Sequence, residues 1–191
     1  EVEGIRDIEI EKEQKQTEEA IKASAEAAQV SVNIAIQAAN DANATATTAG
    51  VNAQKVSEIA TLNQAAASLL TTAQTAAQTA ATVANEARDT AKLAGAKMTE
   101  VFVTNVADIN QSVATEAEKQ IASFAESAVD AKNRVTTAAA TVAQALVDAQ
   151  ALPTASGGDS NTSTEGNTTT PTSDGGISEG MSLNFPETYN N

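Results

Sequence analysis

The side chains of this chain that could do chemistry are carboxylates and asparagines. Glu9, Glu11 and Glu13 lie close together, as do Glu116 and Glu118, and clustered carboxylates are common material for acid–base and hard-cation sites. Their spacing argues against both uses. Residues two apart leave a helix on different sides, so these groups scatter around the axis. No pair combines helical spacing with an apolar pocket of the kind that raises a carboxyl pKa for catalysis. Histidine and cysteine are absent, which removes imidazole bases, thiol nucleophiles, disulfides and the usual zinc ligands together. The glycines form no phosphate loop and no dinucleotide turn. These residues point away from an enzyme, and no cofactor or metal is expected.

The asparagines offer a modification instead. Four Asn-X-Ser/Thr sequons occur: Asn43-Ala44-Thr45, Asn110-Gln111-Ser112, Asn161-Thr162-Ser163 and Asn167-Thr168-Thr169. Glycan transfer needs accessible, flexible backbone, which favours Asn161 and Asn167. For Asn110 two stripes compete: Ala117, Ala114, Asn110, Ala107 and Val103 would turn it inward, while Val106, Ile109 and Val113 offer another face. The competing reading of all four is an unmodified polar residue in an Asn- and Thr-rich chain.

The scaffold that must carry these groups changes character at Pro153. From Ile5 to Leu152 there is no proline, and the only glycines are Gly50 and Gly95; from Pro153 to Asn191 every charged residue is acidic and Gly, Ser, Thr and Asn dominate. A folded domain over 1–152 and a flexible stalk over 153–191 are expected. Apolar residues make up 41% of the chain but aromatics only 2%. An Ala/Val/Ile core buries little area per side chain, and alanine's helix propensity compensates. Long helices packed closely are therefore expected.

Three seams with steps of three and four support this. The first runs Ile21, Ala25, Ala28, Val32, Ala35, Ala39, Ala42, Ala46. The second runs Ile59, Leu62, Ala66, Leu69, Ala73, Ala76, Ala80, Val83, Ala87. The third runs from Ile121 and Phe124 through Ala128, Ala131, Val135, Ala138, Val142, Ala145 and Ala149 to Leu152. Such a repeat predicts coiled-coil-like packing, hence an all-α, elongated antiparallel three-helix bundle. Gly50 suits the position after a helix C-terminus, with Asn52 as the next cap. The second turn has two candidates, Gly95 and Thr104-Asn105; the seam runs on through Ala91, Ala94, Met98 and Val101, and Asn105 with Asp108 forms a capping pair, which favours the later one. The helices are then about 3–48, 52–103 and 106–152, each roughly 70 Å long.

Charge and hydropathy bound the partners. The net charge of −14 with 11 Lys and Arg argues against nucleic acid, which needs a basic face, and disfavours electrostatic docking on anionic lipid. No run of 18 apolar residues could span a membrane. Residues 1–26 hold nine acids and four bases, a solvated helical end. Ala60 to Asn85 holds no charge at all, which suits either a surface crowded by like neighbours or drift in a simple helix. In the tail, Met181, Leu183, Phe185 and Tyr189 cluster as a docking peptide, a membrane-proximal segment or a few hydrophobes on a chain end.

The stretches Ala65–Ala81 and Val135–Ala151, with the tail Pro153–Asn191, make the chain resemble the alanine-rich surface coat proteins of trypanosome insect stages. These are the brucei alanine-rich protein group, with the glutamate/alanine-rich protein as a cousin. The resemblance implies a GPI-anchored helical bundle at the cell surface, on the extracellular face of the plasma membrane. Asn190 and Asn191 would lie near the attachment point. Neighbouring coat proteins and the membrane, through the lipid alone, would be its partners; no ligand is implied. In an up-down-up bundle the Gly50 turn would lie nearest the membrane and Glu1–Lys22 outermost. Two other classes compete: a surface receptor or ligand- or lipid-binding bundle, and a phage or bacterial coiled-coil fibre component.

Overall fold

The computed structural model of the protein describes residues 2–153. Three helices pack against one another and no strand occurs among these residues. They are α1 (Val2–Leu62), α2 (Ala67–Phe102) and α3 (Gln111–Gln150). A single 3-10 turn, Gln64–Ala66, separates α1 from α2, and a second, Val106–Asp108, lies between α2 and α3. Short connections make sequential helices antiparallel neighbours. The all-α antiparallel bundle expected from the seams is the fold observed.

Two compact units share the helices. One comprises residues 2–37 and 89–128, the other 38–88 and 129–153. The core of the first unit holds the larger side chains, with Ile21, Phe102, Met98 and Ile121 buried among alanines. In the second unit alanine and valine make up almost the whole core, Val56, Val83, Val135 and Val142 being its largest members. Such small side chains bury modest area each, so length and the number of seam positions must supply the stability.

The first turn is not at Gly50. Helix α1 runs straight through it, and the seam continues past Ala46 as Ala49, Ala53 and Val56, all within 1% of full burial. A glycine inside a helix costs about 1 kcal/mol relative to alanine. Burying three further seam residues outweighs that. The helices expected over 3–48 and 52–103 are corrected accordingly: one helix ends at Leu62, and Asn52 lies inside it.

The break falls at Asn63, whose extended backbone (φ −145°, ψ 105°) leaves the helical region. Its side-chain oxygen accepts from the Ala65 amide at 3.0 Å, the cap geometry that satisfies an orphan N–H at a helix start. Leu62, expected in the second seam, is therefore 76% exposed. Ile59, Leu69 and Ala76 are half-buried, and Ala77 and Ala84 join Ala66, Ala73, Ala80, Val83 and Ala87 inside.

The second turn follows Phe102, near Thr104-Asn105, and Gly95 is a buried residue within α2. Asn105 caps the 3-10 turn rather than α3. The cap of α3 is Asn110, whose side chain accepts from the Ser112 amide at 2.8 Å. Helix three accordingly starts five residues later than the expected 106. In the third seam Ala125 is buried where Phe124 was expected, and Phe124 and Leu152 are only half-buried. Residues 2–19 of α1 are helical and exposed throughout, as a solvated helical end should be.

Candidate functional site

Among the described residues no group of three or more carboxylates is placed to hold a metal ion. Glu9, Glu11 and Glu13 lie on the exposed end of α1; Glu116 is exposed and Glu118 half-buried on α3. No buried side-chain polar atom lacks a hydrogen-bond partner among these residues.

Of the candidate glycan acceptors, Asn43 is half-buried within α1, its carbonyl accepting from Thr47 Oγ1 at 2.9 Å. Asn110 is exposed, which decides between the two competing stripes: it faces solvent and caps α3. Asn161 and Asn167, and the proposed anchor-proximal Asn190 and Asn191, lie outside the described residues, as does the cluster Met181, Leu183, Phe185 and Tyr189.

One surface in the unit of residues 38–88 and 129–153 stands out by what it lacks. The N-terminal half of α2 exposes Thr71, Thr72, Thr75, Gln78, Thr79 and Thr82 and no charge. Several of these threonines donate back to the carbonyl one turn earlier: Thr71 to Ala67 at 3.3 Å, Thr72 to Ser68 at 3.1 Å and Thr79 to Thr75 at 3.0 Å. Back-bonding of this kind gives the hydroxyl hydrogen an acceptor within the helix, and the face turns no charge outward. Alpha3 repeats the device at Thr136 and Thr137.

Elsewhere in that unit charge ties the helices together. Lys132 Nζ meets Asp41 Oδ2 at 3.0 Å, joining α3 to α1, and Arg134 meets Glu86 at 2.9 Å, joining α3 to α2. All four side chains are more than a third exposed, so each pair adds little stability.

The other unit carries a half-open pocket of about 290 Å3 between α1 and the α2–α3 connection. Ile21, Ala25 and Phe102, all buried, form its floor, and half-buried Val106 and Ile109 form a wall. Lys22 and Glu26, one turn apart on α1, place one charge of each sign at its exposed edge. Composition gave no hint of this pocket. Phe102, the largest fully buried side chain, lies outside all three seams, and only the position of the second turn brings it against α1.

No helix among the described residues is long and apolar enough to cross a membrane. No protein-family model, no curated protein and no solved structure matches the chain.

Proposed function

We propose that this chain is a structural surface-coat protein of the kind its composition resembles: a helical bundle carried on an acidic, lipid-anchored stalk, shielding the plasma membrane of a parasite insect stage. In this reading it is not an enzyme, and it binds no nucleic acid. Its partners are neighbouring copies of the coat, with the membrane reached only through the anchor.

The observation that carries the reading is the charge-free threonine face of α2. A chain of net charge −14 repels its own copies, and a dense coat needs a surface where they can approach. Threonines bonded back to their own helix provide one without creating a large apolar patch of the kind that drives aggregation. The packing of three helices within one chain also supports a coat subunit over a fibre, whose helices would pack between chains.

A second reading, a ligand-binding bundle, is favoured by the pocket beside Phe102. Treatment of intact cells with a phosphatidylinositol-specific phospholipase tests the lipid anchor on which the coat reading depends. A coat protein is released into the medium, and the bundle then remains folded. Retention of the protein inside the cell, untouched by the enzyme, would overturn the coat reading.

A further inference from the structure

We infer that the pocket beside Phe102 is the docking site for this chain's own C-terminal segment Leu183–Phe185, with Phe185 as the side chain that fills it. At about 290 Å3 the pocket falls just below the range that drug-sized molecules occupy, and it suits one large side chain with part of a second. Its wall residues Val106 and Ile109 are half-buried, and Val103 beside them is 53% exposed. An aromatic ring seated there would take this apolar surface from water.

The sequence supplies one such segment outside the described residues. The chain has three phenylalanines and one tyrosine, and two of these four, Phe185 and Tyr189, fall in its last seven positions. Large apolar side chains in a Gly/Ser/Thr/Asn-rich stretch gain nothing unless something buries them. A residue before proline favours extended backbone, and in extended backbone residues two apart share a side. Leu183 and Phe185, followed by Pro186, are spaced to enter one pocket together.

Reach and charge agree with this occupant. Thirty residues lead from Pro153 to Leu183, a span of up to about 100 Å when extended. That reach exceeds the length of the 40-residue α3, about 60 Å. Ser182 to Pro186 carries no charge, so the Lys22–Glu26 edge does not repel it, and Glu187, the next residue, can meet Lys22. The inference does not rest on the coat reading.

The test uses the full chain. With no native cysteine, Thr188→Cys accepts a single nitroxide, and methyl signals of Val103, Val106 and Ile109 report its approach by paramagnetic broadening. Broadening is expected at these methyls and not at Val56 or Val142. Adding Phe185→Ala should lower the docked-to-free ratio about tenfold. Absent broadening, equal broadening at Val56 and Val142, or broadening indifferent to Phe185→Ala would each overturn the inference. Broadening that persists undiminished when the nitroxide and the observed methyls sit on separate, mixed chains would assign the pocket to a second copy and overturn the intramolecular form.

Discussion

The side-chain amide of Asn63 donates to the backbone carbonyl of Pro153 at 3.1 Å, across ninety positions of sequence. The same residue caps the 3-10 turn through its oxygen. One side chain thus closes the first turn and holds the point where the helical body gives way to the tail. Asn63→Ala should cost about 1 kcal/mol from the lost cap and tie. Asn63→Asp keeps the acceptor and loses only the donor, so its loss should be smaller. Urea midpoints at unchanged slope check this; no loss in either variant would contradict it.

Gly50 supplies the sharpest check on the first helix. A Cβ built there meets nothing within 4 Å, and the residue lies inside α1. Gly50→Ala should therefore stabilise the protein by up to about 1 kcal/mol. A left-handed glycine at a turn would respond with the opposite sign. Thermal and chemical unfolding of this one variant distinguishes the two placements.

The seams should tolerate change in neither direction. Ile121 is fully buried among the alanines of the third seam, and Ile121→Ala should lose about 2–5 kcal/mol through transfer and cavity terms. Ala80, also fully buried, leaves no room for added volume, and Ala80→Leu should lose about 1–3 kcal/mol by overpacking. A neutral Ala80→Leu would show that the second unit is more loosely packed than its burial indicates.

The two interhelical ion pairs should matter little to stability. Lys132→Ala and Arg134→Ala each remove a half-exposed pair, worth less than about 1 kcal/mol. Their combined loss, read by denaturant titration at low and high salt, should shrink as salt rises.

Much of this fold is legible in the chain because its seams are periodic and its alanines helical. The first seam is buried at every position from Ile21 to Ala46. Where the sequence misleads, a local signal competes with that period. Gly50 carries the marks of a helix end, yet Ala46, Ala49, Ala53 and Val56 keep the step of three and four unbroken across it, and burial wins. The true break at Asn63 has neither glycine nor proline beside it. Its one sequence mark is an asparagine where the seam loses phase, between half-buried Ala60 and exposed Leu62. The pocket was illegible for a different reason: it depends on how the residues after Phe102 fold back against Ile21 and Ala25, which no helical period encodes.

The proposed coat subunit is held to a membrane by lipid alone, and the intact mass of the protein isolated from its source decides whether it is. An ethanolamine-phosphate glycolipid is expected on the C-terminal residue, with any glycan mass mapping first to Asn161 and Asn167. A C-terminus carrying no lipid would contradict it.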